Sequence, residues 1–150
     1  MDWDKKMNMT EFLNTLKSKG ALVWGASNAR AIEYANSTLQ QKKYAMLPNF
    51  FINLYMQTAG INMGSGYIFG PTELPNGVNF PIPGIIDIND EVHNIPAMKN
   101  KTLFARNDLF WFAFDAFGKC YMLSNTNGAV LREYDDPYRA LTDCLMGGKL

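Results

Sequence analysis

Apolar residues recur every three or four positions over the first third of the chain, which is the spacing of one helix face. The spacing predicts helices over about 7–19 and 28–42. A third helix is expected to begin just after Pro48 and to end at Gly60. The apolar positions expected to face inward are Met9, Phe12, Leu13, Leu16, Ala29, Ile32, Ala35, Leu39, Phe50, Phe51, Leu54 and Tyr55.

The middle of the chain, from about 60 to 96, differs because glycine and proline interrupt it every few residues. Glycine and proline at this frequency predict turns and short strands, and they argue against long helices or strands. We expect strands at 67–69 and 85–88, and one or two helical turns between 90 and 98.

The last third of the chain carries the clearest alternation of apolar and polar positions. A hairpin loop is expected at 125–128, because Asn and Gly tolerate positive φ. The last three strands are predicted to form an antiparallel meander, and a closing helix follows over 137–146. The predicted strands in this region are 103–105, 109–115, 120–123 and 129–134.

The strand at 109–115 is apolar on both faces, which is typical of a central strand covered on both sides. Helices can cover one face, and the glycine-rich middle or a partner must cover the other. One face carries Phe110, Phe112 and Phe114, and the other carries Leu109, Trp111 and Ala113. Together these elements predict one domain of the α+β class over 1–150. Its sheet is expected to be mostly antiparallel, with a C-terminal three-strand meander, N-terminal helices and a C-terminal helix.

The amino-acid composition limits the classes of partner that the chain is expected to bind. The chain has 14 Lys and Arg against 14 Asp and Glu, so its formal net charge is zero. Direct binding to nucleic acid or to an anionic membrane is therefore not expected, because both favour a basic surface. The sequence contains no run of 18 apolar residues, so no membrane span is predicted. The first six residues lack the apolar stretch of a signal peptide.

Cysteine and histidine usage argues against a metal or a catalytic thiol. Cys120, Cys144 and His93 are too few for a structural zinc site, and no cofactor is expected. Cys120 lies in a predicted strand and Cys144 in a predicted helix, so buried thiols explain both better than a nucleophile does. Free thiols suit a reducing compartment, which predicts a cytoplasmic protein.

Gly25 stands in a segment that superficially resembles a dinucleotide-binding turn. Such a turn needs several glycines for close approach to a pyrophosphate, whereas Asn28, Ala29 and Arg30 occupy the later positions here. The segment is therefore interpreted as a strand end followed by a helix cap.

Two groups of residues are candidates for binding a protein partner. Aromatic side chains favour interfaces when they are exposed, and carboxylates can form an acidic rim for a basic partner. Without such a partner, the aromatic residues are core and the carboxylates are solvated loop and cap residues. The aromatic candidates are Tyr67, Phe69 and Trp111, and the acidic candidates are Asp87, Asp90, Glu91, Asp135 and Asp136.

The order of features over about 28–146 resembles the SUKH superfamily, which includes the yeast cell-wall assembly regulator domain. Leu47-Pro48 precedes an aromatic helix, and 67–74 reads Tyr-Ile-Phe-Gly-Pro-Thr-Glu-Leu. The segment 104–107, Phe-Ala-Arg-Asn, then leads into the meander and the closing helix. One departure is Ala59-Gly60, where members often carry Asn-Gly.

The resemblance implies a binding role without a cofactor. Bacterial members neutralise a cognate toxin domain, for instance a nuclease, and fungal members regulate wall glucan synthesis through protein contacts. The leading hypothesis is therefore a non-catalytic immunity protein, present as a monomer or a weak homodimer. Its alternatives are a regulatory scaffold in polysaccharide synthesis and an enzyme with an unrecognised site in the glycine- and proline-rich middle.

Overall fold

The computed structural model describes residues 8–74 and 81–147, and their fold is α+β. The helices are α1 (Met9–Ser18), α2 (Ala29–Gln41), α3 (Asn49–Tyr55), α4 (Ile85–Val92) and α5 (Pro137–Met146), with a 3-10 turn at Pro96–Met98. The strands are β1 (Leu22–Val23), β2 (Ile61–Met63), β3 (Gly66–Ile68), β4 (Lys101–Arg106), β5 (Phe110–Asp115), β6 (Cys120–Ser124) and β7 (Val130–Tyr134).

The described strands form one antiparallel sheet in which each strand pairs with its neighbours in the chain, in the order β1 to β7. This layout differs from the predicted three-strand meander, because the same up-and-down path runs through seven strands. The strand predicted at 67–69 and the strand end predicted before Gly25 correspond to β3 and β1. The sequence pattern missed β2, which is three residues long, and the pairing that joins these segments to the meander. Such short segments show no readable alternation.

Helix boundaries follow capping chemistry. The side chains of Asn8 and Asn28 accept hydrogen bonds from the backbone N–H groups of Glu11 and Ala31, at 2.8 and 2.9 Å. The predicted helix start at residue 7 lies outside the described residues. The third helix ends at Tyr55, before the predicted Gly60, because residues 59 and 60 pair with the backbone beside β1.

The prediction of a strand at 85–88 is wrong, since these residues begin α4. An Ile-Ile-Asp-Ile quartet is too short to distinguish a strand from a helix by spacing. The buried residues of α4 are Ile85, Ile88, Asn89 and Val92, which lie on one helical face.

The first face of the sheet, defined by Phe112 and Phe114, is covered by α1, α2, α3 and α5. Aromatic rings fill this layer: Phe51 lies 4.6 Å from Phe104 and 4.9 Å from Phe114, between ring centroids. Phe112 and Phe114 are fully buried, as are Phe51 and Phe104. The predicted aromatic core is confirmed for Phe112 and Phe114, whereas Phe110 is only partly buried.

The second face, defined by Leu103 and Ala113, is covered by α4, the 3-10 turn and the bridged residues Leu74 and Ile82. The glycine-rich middle therefore covers this face, as the pattern of β5 requires. The cover is incomplete, because Trp111 and its neighbours on this face are only partly buried.

Candidate functional site

The aromatic candidates lie on the second face of the sheet. Tyr67 on β3 is paired with Arg106 on β4, and Arg106 is paired with Trp111 on β5, so the three share one row. All three are partly exposed. Phe69 is fully buried beneath this row, with the Arg106 guanidinium 5.5 Å from its ring centroid. Phe69 therefore cannot be the surface anchor that the sequence suggested, whereas Tyr67 and Trp111 remain accessible.

The acidic candidates on α4 differ in their partners. Asp90 accepts hydrogen bonds from Lys42 at 3.0 Å and from the Tyr44 hydroxyl at 2.8 Å. Partial burial tends to raise the pKa of Asp90, but these hydrogen bonds outweigh burial and lower it. Asp87 and Glu91 are exposed, four residues apart on one helical face. Within the described part of the chain, neither forms an ion pair.

The remaining acidic candidates lie elsewhere, at the junction of β7 and α5. Asp135 is exposed. Asp136 caps α5, and its side chain accepts a hydrogen bond from the Tyr138 backbone at 3.0 Å. The predicted residues thus fall on three pieces of the fold, of which only the α4 group and the Tyr67–Trp111 row belong to the second face.

One feature that the sequence interpretation missed is a basic groove between the end of α2 and the start of β4. Two adjoining cavities of about 510 and 470 Å³ share the same wall. The residues that line both cavities, which we call the lysine groove, are Lys43, Tyr44, Lys99, Asn100 and Lys101. The doublet Lys42-Lys43 and the triplet Lys99-Asn100-Lys101 were visible signals, but only the fold brings them together.

The lysine groove contains the two non-glycine residues of the described chain with positive φ, Lys43 at 63° and Asn100 at 66°. Asparagine tolerates this conformation, whereas for lysine it costs about 1–2 kcal/mol. Lys43 directly follows the end of α2, where Tyr44 bonds back to the Leu39 carbonyl at 2.9 Å. Glycine is the usual residue at such a helix end.

Asp115 lines one of the two cavities beside the lysine groove and is fully engaged by the turn after β5. Its carboxylate accepts hydrogen bonds from the backbone of Phe117 and Lys119 and from the Tyr121 hydroxyl, at 2.9, 3.1 and 2.7 Å. Partial burial opposes the effect of these bonds, which nevertheless lower the pKa of Asp115. Mainly through the same hydroxyl bond, the pKa of Tyr121 is raised to about 12.

The candidate nucleophiles are held inside the fold. Cys120 and Cys144 are buried, and burial raises the pKa of both thiols, that of Cys120 to about 12. His93 is exposed, and its Nδ1 lies 2.7 Å from the Asp90 carbonyl. Among the described residues, no three His, Cys, Asp or Glu side chains form a group that could hold a metal ion.

Comparison with models of known protein families gave no match, and comparison with curated proteins gave none either. Over 8–74 and 81–147, none of the helices has the length and apolar character that crossing a bilayer requires.

Proposed function

We propose that this chain is a non-catalytic protein-binding domain that neutralises a cognate bacterial toxin domain by direct contact. The resemblance described above suggests this role. The surface that supports it is the second face, where α4 and the Tyr67–Trp111 row lie on the same side of the sheet.

The observation that carries the proposal is the exposed pair Asp87 and Glu91 on α4. Like charges four residues apart destabilise a helix by a few tenths of a kcal/mol. Glu91 also lies in the last turn, where the helix dipole disfavours an anion, and that turn has no basic residue. Glu91 therefore lies where its charge disfavours the helix, and a basic partner would compensate that charge.

The half-buried aromatic residues supply the other half of an interface. Tyr67 and Trp111 are held in place by β3 and β5, so binding would order little additional side-chain motion. Tryptophan and tyrosine are frequent anchors at the centre of protein interfaces. The carboxylates would accelerate association with a basic toxin surface, and the aromatic anchors would slow dissociation.

The proposal is tested with the C-terminal domain of a secreted toxin encoded beside this protein. We expect a complex in a pull-down and complete inhibition of the toxin at a one-to-one ratio. Inhibition at a small fraction of that ratio would indicate turnover and contradict a non-catalytic role. The absence of any complex would contradict neutralisation.

Charge reversal locates the interface. Asp87→Lys combined with Glu91→Lys should weaken the complex at least about tenfold, with most of the loss in the association rate at low salt. The matched control is Glu33→Lys combined with Asp108→Lys, which changes net charge equally at exposed sites elsewhere. Equal weakening by both double variants would show that net charge, and not α4, is responsible.

A further inference from the structure

The lysine groove has positive charge that the described part of the fold does not neutralise. The side chains of Lys43 and Lys99 form no hydrogen bond or ion pair with a described residue. The Lys101 ammonium donates to the Ala97 carbonyl at 3.1 Å and lies 5.6 Å from the centroid of the Tyr121 ring. Of the nearby acids, Asp90 pairs with Lys42. Asp115 is hydrogen-bonded by neutral donors and keeps its charge beside one cavity, so three lysines face one remaining carboxylate. In a chain of zero net charge, three lysines converge here on one cavity wall.

The backbone at Lys43 adds a second, independent observation. The left-handed conformation at this helix end is one that glycine adopts without strain. A cation near a helix C-terminus is favourable, but Lys42 already occupies the adjacent position. This conformation belongs to the cap that ends α2, in which the Lys43 and Tyr44 N–H groups bond to the Gln40 and Leu39 carbonyls at 3.0 and 2.9 Å. The cap explains the conformation but not the choice of lysine, because glycine would form the same cap without strain.

The walls of the cavities define what would fit. Each cavity is of the size that takes a small molecule, and Tyr44 and Tyr121 contribute aromatic surface. Phe117 stands 95% exposed at the rim of one cavity, which is unusual for so large an apolar side chain. Lysine ammonium groups bind phosphate as compact point charges.

We propose that the lysine groove binds a small molecule that carries two adjacent phosphate groups. The ammonium groups of Lys43, Lys99 and Lys101 hold the phosphates, and the exposed ring of Phe117 offers a surface on which a flat ring can stack. Asn89 and Val92 of α4 line one of the two cavities, but Asp87 and Glu91 line neither. The site therefore does not depend on the proposed toxin contact.

Calorimetric titration with pyrophosphate, ADP and adenosine at low ionic strength tests the site. We expect one-to-one binding of pyrophosphate and ADP and no binding of adenosine. Tighter binding of ADP identifies a nucleotide whose ring stacks at the rim, and equal affinities identify the phosphates as the recognised group. The proposal is overturned if neither pyrophosphate nor ADP binds. Tight binding of a short single-stranded oligonucleotide in that case would show that the groove recognises a nucleic acid instead.

Glycine substitutions separate charge from backbone strain. Lys43→Gly should raise the melting temperature by about 2–4 °C, because the strain is relieved, yet weaken pyrophosphate binding about tenfold. The matched control is Asn100→Gly, which relieves the same conformation without removing a charge and should leave affinity within about twofold. Equal affinities for the two variants would overturn the assignment of Lys43.

A second pair of variants removes charge without touching the backbone. Lys99→Gln should also weaken pyrophosphate binding about tenfold, whereas Lys17→Gln on the exposed side of α1 should not change it. Loss of binding in both would show non-specific attraction to surface charge and contradict a defined site.

Discussion

The two faces of the sheet are covered in different ways. On the first face, four helices seal a layer of aromatic rings that includes Phe51 and Phe114, both fully buried. On the second face, one short helix and turn segments leave Trp111 partly exposed. The sealed face has the packing of a core, whereas the partly covered face offers rigid side chains to a partner.

The two faces of the sheet also differ in how their helices are attached. On the first face, α3 adds one buried hydrogen bond to its apolar packing, from the Tyr55 hydroxyl to the Phe69 carbonyl at 2.8 Å. On the second face, α4 adds a buried side-chain amide to the packing of Ile88 and Val92. The Asn89 side chain donates to the Ile85 and Leu103 carbonyls at 2.8 and 2.9 Å and accepts from the Leu103 N–H at 2.8 Å. A polar attachment fixes direction as well as position, so α4 presents Asp87 and Glu91 in one orientation.

The largest expected effect is loss of packing on the sealed face. Phe51→Ala should lower the free energy of unfolding by about 3–5 kcal/mol, because a fully enclosed ring is removed. Trp111→Ala on the second face should cost clearly less, because water already reaches part of this side chain. Urea denaturation of both variants measures the difference, and equal losses would contradict the contrast between the faces.

Leu109→Ala, at a position 65% exposed, is the control for both variants. Its free energy of unfolding should stay within about 0.5 kcal/mol of that of the parent protein.

A smaller loss is expected from breaking the polar attachment of α4. Asn89→Leu removes the side-chain donor to the Leu103 carbonyl and the side-chain acceptor of the Leu103 N–H. The loss should lower the free energy of unfolding by about 2–3 kcal/mol. Amide exchange at Leu103 should accelerate, which separates loss of this attachment from general destabilisation. Asn94→Leu, at an exposed position just after α4, is the control and should change neither quantity. An unchanged exchange rate at Leu103 would argue against the amide as the fixing contact.

Acid should weaken the turn that holds Asp115. Its pKa in the folded state lies below the ordinary value of 3.8, so its contribution to stability is complete above that value. The contribution is lost as the pH falls further, through the folded-state pKa. Asp115→Asn should cost about 1–2 kcal/mol at pH 7 and flatten the decline of stability between pH 4 and pH 2. Urea midpoints across this range measure the effect, and Asp108→Asn, on an exposed turn, should leave the profile unchanged.

The smallest effect concerns the thiols, both of which pack against the sealed face. Cys120 and Cys144 should react with an aromatic disulfide reagent only as fast as the protein unfolds, because burial withholds them and raises their pKa values. Two thiols should become reactive in denaturant. Rapid reaction of either thiol in the native protein would show that the first face opens locally.

The sequence pattern was most informative where elements are long and one face is apolar. The helices around Phe12 and Leu39 and the strands from β4 to β7 follow directly from spacing, because burial of one face imposes the period. The short strand β2 and the pairing of β1 to β3 into the same sheet escaped this reasoning, since these are set by pairing with distant residues. Leu22, for example, pairs with Asn62.

The candidate site was predictable only in part. Residue type singled out Trp111 and Glu91, but exposure decides which aromatic residues are available, and Phe69 proved to be buried. The lysine groove could not be foreseen from charge alone, because Lys43 and Lys99 are far apart in the chain and meet only through the fold. A left-handed lysine likewise leaves no mark in a sequence.

The close approach of α5 to β3 has a consequence for synthesis of the protein. A Cβ placed on Gly66 would lie 2.6 Å from the Cys144 carbonyl, so the helix rests directly on the strand. Because α5 follows all seven strands, the ribosome releases it after the sheet residues beneath it. Until α5 is released, the nascent chain exposes apolar surface around Ile68 and Phe112. We expect molecular chaperones to bind this surface before α5 covers it.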